Sequence, residues 1–382
     1  MTISAKDAQA RAARWLAAWD GHGIHRTGTE GDSAGAKWLV REVQTLCLEP
    51  AIEEFGLDRL DPVSAFVEIA GERIEGVQLF DAPATDPEGI AGAFGPAGGD
   101  AAIGVAELSP RDVYGGEAER VRRSGAHRGL VVLCRGDAPG LGLLNAESFL
   151  RPYGPPAIHL PSEARDRMLA AARTGTTGRL VSHSRRVRSH ASNVVATLRG
   201  RDRHRPPLVV MTPRSSWWQS TAERGGGLVC WLEALRALSE EQPAGEVIFT
   251  TNSGHELNHL GLDDFLAHRP GWDKCVTWVH FGANLGAAGG KLSLMSADDE
   301  LRALATAELQ RGGQPADTIA PKAQVPSGET RDIHRAGGRY LTLVGSNPLF
   351  HLPQDRWPHA VDLEAVTRIA AAAVAVVRAL AC

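Results

Sequence analysis

The chain has 382 residues, 43% of them hydrophobic and 23% charged, with a formal net charge of −4. That length supports one large domain plus a smaller one around a sizeable core. The near-neutral balance gives no electrostatic basis for nucleic acid or an anionic membrane as a partner.

Residues from about 5 to 50 predict two helices. Ala8 to Leu16 is helical by composition. A second helix, from about Asp32 to Leu46, sets Ala36, Leu39, Val40 and Val43 at a helical period, with Asp32 or Ser33 as its N-cap. Between them Gly23 to Asp32 is a polar, glycine-rich loop. From about 62 to 190 short apolar strands (Ala65–Ile69, Gly129–Leu133, Ala157–Leu160) alternate with Gly, Pro and Asp turns, as in a small β-rich insert. The basic run Arg185-Arg186-Val187-Arg188 is short and reads as a solvated strand or linker.

Ser192–Leu198 opens a regular α/β succession. Strands are expected at Leu208–Thr212, Glu246–Thr251, Cys275–Phe281 and Tyr340–Val344, with helices from Gly227 to Leu238, from His255, and from near Asp362. Such alternation predicts a mostly parallel sheet with helices on both faces. Sites in these sheets lie at the carboxyl ends of strands, here Arg214 to Trp218, Ser253 to Glu256, Gly282 to Asn284 and the Gly345–His351 loop. Five cysteines (Cys47, Cys134, Cys230, Cys275, Cys382) are scattered without CxxC or metal-type spacing, as free thiols in a reducing compartment would be. Met1–Asp7 has no apolar signal core, and no apolar run approaches the roughly 20 residues of a membrane span. The expectation is a cytoplasmic protein with no membrane and no nucleic-acid partner; a homo-oligomer is compatible with the sequence.

The stretch from Gly254 to Gly261 supports two incompatible readings. As a pattern, His255-Glu256-Leu257-Asn258-His259 is HExxH, the helical zinc site of metalloproteases, which needs both histidines on one helix face and a third ligand downstream. In context it lies where an apolar strand ends and a helix begins, and there a different motif resemblance applies. His25-Arg26-Thr27-Gly28-Thr29-Glu30-Gly31-Asp32 is similar to an R-x-G-T-x-G loop. Tyr153-Gly154-Pro155-Pro156-Ala157-Ile158 and Ser192-Asn193-Val194-Val195-Ala196 resemble the closing signs of a protease-associated insert. His351-Leu352-Pro353-Gln354-Asp355 is an intact His-x-Pro-x-Asp. Taken in order, these pieces resemble the co-catalytic zinc aminopeptidase family, whose superfamily includes the glutaminyl cyclases.

That resemblance implies a zinc-exopeptidase-like α/β three-layer sandwich, residues 1–61 and 190–382, with a mostly parallel central sheet. Residues 62–189 would form the protease-associated-like, β-rich inserted domain. It also implies a degenerate metal site. The family's His-x-Asp aligns with Arg214-Ser215-Ser216 and its Asn-x-Asp with His280-Phe281-Gly282, so two ligands are lost. Its bridging Asp becomes Glu223, and its Gly-Glu-Glu becomes Gly254-His255-Glu256. Glu223, Glu256 and His351 would remain as a three-ligand set for one zinc or other divalent ion, with His255 as the base in place of glutamate. Arg214 would put a fixed charge near the vacated metal position, and Arg214 or Arg224 would orient an anionic group. Trp217 and Trp218, with Trp357, are candidates for a substrate wall.

The implied activity is hydrolysis of an amide or related C–N bond in a small molecule, rather than ordinary aminopeptidase action. The alternatives are a non-catalytic pseudo-peptidase holding these groups as a relic, a metal-free enzyme with His255 as base and Glu256 orienting it, and glutaminyl-cyclase-like acyl transfer. A fully degenerate site would hold no metal. His259 reads as a packed or capping histidine. Ser215, Ser216 and Ser220 read as loop serines, since no Gly-x-Ser-x-Gly elbow is present. Gly225-Gly226-Gly227 reads as tight packing at a helix start.

Overall fold

A computed structural model describes residues 5–112, 116–125 and 127–382; Met1–Ser4 of the N-terminal stretch lie outside it. At its centre four strands, Arg339–Gly345, Thr277–Phe281, Leu208–Pro213 and Val247–Asn252, pair in parallel in that order. Every residue of Leu208–Pro213 and Val247–Asn252 is buried, as continuous apolar runs covered on both faces should be. Alternation sorts their side chains into two layers. Val210, Phe249, Val279 and Leu341 pack on one face against the helices Ala5–Gly21, Glu30–Gln44, Gly226–Ser239 and Leu363–Ala381. Val209, Met211, Ile248, Trp278 and Tyr340 pack on the other, against Leu260–Ala267 and Thr330–Ala336. This is the three-layer, zinc-exopeptidase-like α/β fold.

Antiparallel strands flank the parallel core: Leu292–Met295 beside Arg339–Gly345, and the long Thr177–Leu198 strand beside Val247–Asn252. Thr177–Leu198 pairs in turn with Ala51–Ile69, from Ala51 opposite Val195 to Ile69 opposite Gly178. These two strands leave the main sheet and carry a second apolar core, with Phe94, Ile103, Val131, Leu133, Ile158 and Met168. The limits at 62 and 189 therefore fall inside paired strands and not in linkers. The first coincides with a register shift between Pro62 and Ser64, where a residue without an N–H interrupts the ladder. The Arg185–Arg188 run lies on this outer strand.

Two helix expectations need correcting. The helix placed from Asp32 spans Glu30–Gln44, with Thr29 at the N-cap making no side-chain cap bond. Asp32 instead accepts from the Gly28 N–H at 2.9 Å and faces inward. No α-helix begins at His255. A single 3-10 turn, His255–Leu257, is followed by Asn258 and His259 in the left-handed region (φ 61° and 62°), and the α-helix starts at Leu260. The last helix starts at Leu363, capped by Asp362, which accepts from Ala365 N–H at 2.9 Å. Among the described residues no helix is long and apolar enough to cross a membrane.

Candidate active site

The carboxyl ends of the parallel strands converge as the topology requires. Beside them opens a cavity of about 630 Å³ whose lining includes His255, His280, Asn284, Met295, Arg331 and Phe350. His255 reaches it because Gly254 turns the chain in a left-handed conformation (φ 83°) directly after the Val247–Asn252 strand. Thr27 Oγ1 accepts from Gly254 N–H at 3.0 Å, and Ser215 Oγ accepts from His255 N–H at 3.0 Å.

The His255 ring is oriented by a residue far away in sequence. Its Nδ1 lies 2.9 Å from Glu329 Oε1. Glu329 is wholly buried. Burial alone would raise its pKa, but His255, then His280 and His259, hold it well below the usual carboxylate range. An ionised carboxylate only accepts, so Nδ1 of His255 carries the proton and Nε2 the lone pair. Burial, then the Arg224 charge, push the His255 pKa down to about 4 against the opposing pull of Glu329, so the ring is neutral at pH 7. Gly328, with φ 71°, makes this approach feasible: a Cβ there would stand 3.2 Å from the His280 ring and 3.6 Å from that of His255. His280 Nε2 is 3.4 Å from Glu329 Oε2. His259 joins the group from the other side. Its ring centroid is 5.2 Å from that of His255, and its Nδ1 is 2.5 Å from Asp332 Oδ2. Burial would lower the His259 pKa, but the Asp332 hydrogen bond and the charges of Glu329 and Asp332 raise it.

Glu256 points the other way. Its Oε1 accepts from Thr27 N–H and Thr27 Oγ1, both at 2.7 Å, and its Oε2 accepts from Ser215 Oγ at 2.6 Å. Burial raises its pKa in spite of these donors. Glu223 lies beside Arg224, Oε1 to Nη2 2.7 Å, and 3.5 Å from His351 Nε2, all fully buried. Burial would raise Glu223, yet Arg224, then His351 and His255, bring it down to about 2. Arg224 Nε donates to the Ser215 carbonyl at 2.8 Å, and His351 Nδ1 lies 2.6 Å from the Leu143 carbonyl, to which it donates. Asp355 fixes the π-helical turn Thr221–Gly225 that carries this pair, accepting from Ala222 N–H at 2.7 Å and Glu223 N–H at 3.0 Å. Burial lifts the Asp355 carboxyl to about 7.

Of the expected ligand set, Glu223 and His351 stand together, while Glu256 is hydrogen-bonded elsewhere. Both Glu256 oxygens are committed to Thr27 and Ser215, and a guanidinium already sits on Glu223. Among the described residues the group of three potential ligands whose donor atoms lie within 4.8 Å of one another is His255, His259 and Glu329. Among the described residues the family-position residues are not such a group, whereas a His/His/Glu group compatible with zinc is.

Other expected site residues are placed elsewhere. Arg214 is fully buried and committed to the scaffold: it donates to the Asp32 carbonyl at 2.7 Å, to Asp32 Oδ1 at 2.5 Å and to the Ser192 carbonyl. Trp217 is buried in an apolar cluster against Phe80, with Nε1 donating to Asn145 Oδ1 at 3.1 Å. Trp218 donates to the His351 carbonyl at 2.9 Å and braces that loop. Trp357 packs on the core, its N–H held by Asp20 at 3.0 Å. None of the three tryptophans lines the cavity. Ser215 links Glu256 to the His255 backbone, a role its place in a loop did not reveal. His259 belongs to the His255 cluster and does not stand outside it. Glu329 and Asp332 carried no sequence signal.

No family model matches the chain, and no curated protein matches it in sequence. Solved structures match it over nearly their whole length. A zinc aminopeptidase from Bacillus subtilis superposes with a TM-score of 0.79 at 15% identity, over 99% of this chain and 95% of that one. A peptidase M28 precursor from Shewanella amazonensis gives 0.76 at 14%, over 99% and 97%. An aminopeptidase from Aneurinibacillus sp. gives 0.71 at 14%, over 98% and 93%. At this identity the likeness is one of fold: the chain has the architecture of these aminopeptidase and peptidase structures.

Proposed function

We propose that the chain is a hydrolase of an amide or related C–N bond in a small molecule, with His255 as the proton-transfer group and Glu329 as its positioning residue. The carrying observation is the buried Glu329–His255 pair beside a cavity at the carboxyl ends of the parallel strands. In this reading His255 Nε2 takes a proton from a water molecule as the water oxygen bonds to the substrate carbonyl carbon. As the C–N bond breaks, the same proton passes to the departing nitrogen, giving an acid and an amine. Neutral imidazole is the form the first step needs, and an imidazolium as acidic as this site makes it returns its proton readily. Glu329 holds the tautomer, as a carboxylate does for a catalytic histidine generally.

Ordinary aminopeptidase action is disfavoured by the donors. Arg214 and Gly282 stand where the resemblance puts ligands of a second metal, and Glu256 is turned away from the cavity. No step here is routed through a metal at those positions. Five free cysteines suit a reducing, cytoplasmic setting.

The test is turnover of an amide and ureide library by chelator-treated protein, with His255→Ala and Glu329→Gln beside it. Hydrolysis lost in His255→Ala and strongly reduced in Glu329→Gln is expected. Turnover untouched by His255→Ala would remove the assignment, and absence of hydrolysis across the library would favour a non-catalytic binding protein on the same fold.

A further inference from the structure

We propose that His255, His259 and Glu329 form a zinc-class divalent-cation site whose occupancy switches the His255 base off; the switching half rests on the reading of His255 given above. Each of the three offers a ligand atom, and the three atoms lie within 4.8 Å of one another. Ligands around a tetrahedral zinc, at about 2.0–2.2 Å from the metal, stand roughly 3.3 Å apart, so side-chain adjustments of about an ångström close the site.

Two observations independent of that spacing point to a ligand. Glu329 Oε2 and His280 Nε2 are buried atoms without a hydrogen-bond partner among the described residues, and they face each other at 3.4 Å. Second, His259 is oriented as metal-binding histidines are: its Nδ1 is held by Asp332, which leaves Nε2 as a ligand nitrogen. On His255 the nitrogen that faces Glu329 is Nδ1, so there a cation would take the place of the Nδ1 proton. Two buried or half-buried carboxylates, Glu329 and Asp332, supply local negative charge. The opposing cations include Arg224 near His255, Arg331, which is itself paired with Glu147 at 2.6 Å, and Arg335, 3.9 Å from Asp332. The cavity beside His255 gives an ion a route in.

This is not the metalloprotease helix that the letters HExxH describe. Glu256 is turned to Thr27 and Ser215, and His259 precedes its α-helix in a left-handed conformation, so the two histidines meet by a loop and not across one helical turn. The consequence is chemical. A cation held between Glu329 and Nδ1 of His255 leaves the ring's proton on Nε2, the nitrogen that would accept the proton from water, so loading the site and proton transfer exclude each other.

The experiment uses the full-length chain stripped with chelator and titrated with Zn²⁺ alone, by calorimetry and by competition with a chromophoric chelator. One equivalent is expected to bind. His259→Ala, checked for folding by circular dichroism and thermal melt, should weaken zinc binding at least tenfold. Turnover of the unchanged chain should fall in proportion to zinc bound, and His259→Ala should need at least tenfold more zinc for the same loss. Absence of stoichiometric zinc binding, or equal affinity in His259→Ala, overturns the site. Zinc binding that raises turnover overturns the switch. Zinc binding is read without any substrate, so a failure to find turnover is distinguished from a failure of the site.

Discussion

Glu329 and His255 are 74 residues apart in the chain and 2.9 Å apart in the fold, Oε1 to Nδ1. The contact joins a strand end to a helix start: His255 follows Val247–Asn252, and Glu329 precedes the Thr330–Ala336 helix that leads into Arg339–Gly345. It decides the tautomer of His255 and hence which nitrogen is available to a substrate. Each partner also alters the other, because the Glu329 carboxylate opposes the lowering of His255 while the histidines around it hold Glu329 ionised.

If that contact positions the base, Glu329→Gln should lower kcat far more than it raises KM. His255→Ala should lose about 10²–10⁴-fold, the range a positioned general base contributes. Glu329→Gln, which keeps an acceptor but loses the fixed charge, should lose at least about tenfold. Steady-state kinetics on chelator-treated protein check both. A Glu329→Gln variant with unchanged kcat would separate the pair from the chemistry.

Ser215 makes a more structural prediction. Its Oγ donates to Glu256 Oε2 at 2.6 Å and accepts from His255 N–H at 3.0 Å, all in the buried interior. Ser215→Ala leaves a buried acceptor and a buried donor without partners, so unfolding free energy should drop by about 1–3 kcal/mol. Ser220 is equally buried, but its Oγ has no partner among the described residues. Ser220→Ala should therefore be neutral or slightly stabilising. Denaturant melts of the two variants side by side decide this, and equal losses would contradict it.

The framework was legible because its strands are continuous apolar runs. Leu208–Thr212 and Glu246–Thr251 lie within a residue of the observed strands, and burial on both faces explains why. The strand ends also fell where expected, so the right loops were brought together. The side-chain geometry was not legible. Glu256 and His255 are adjacent in sequence but point apart, because Gly254 and the following left-handed residues break the helix that the letters suggested. Arg214 looked like a site cation, yet Asp32, expected as a helix cap, draws it into the scaffold. Glu329 sits in a Ser-Gly-Glu-Thr stretch with no periodicity or motif, and only the sheet order brings it to His255.

His25 gives a test of pH dependence away from the site. Its ring stacks on Trp19 with centroids 3.5 Å apart, and its Nε2 is 3.1 Å from the Trp19 carbonyl. Burial pushes its pKa down from 6.5 to about 3. A depressed folded pKa means stability that is present above the unfolded value and is lost as pH falls toward the folded one. The difference in unfolding free energy between the unchanged chain and His25→Gln should shrink between pH 6.5 and 4, by up to about 1.4 kcal/mol per pH unit. Taking the difference cancels Asp355 and Glu256, whose raised pKa values act in the opposite direction. A difference flat across that range would show that His25 titrates normally.

The Glu223–Arg224 pair makes the most demanding prediction, because both side chains are entirely buried. Arg224 is the largest of the charges that keep Glu223 ionised, and among the described residues its side chain donates from Nε to the Ser215 carbonyl. Arg224→Met removes the counter-charge and leaves a carboxylate in the interior, which should cost about 3–5 kcal/mol. Glu223→Gln should cost a comparable amount by leaving the guanidinium alone. Glu223→Gln with Arg224→Met removes both charges together, so it should cost clearly less than the sum of the single losses. Chemical denaturation of the four proteins at one pH closes the cycle. Simple additivity would mean that the two charges do not compensate each other, and that His351, at 3.5 Å from Glu223, is the partner that matters.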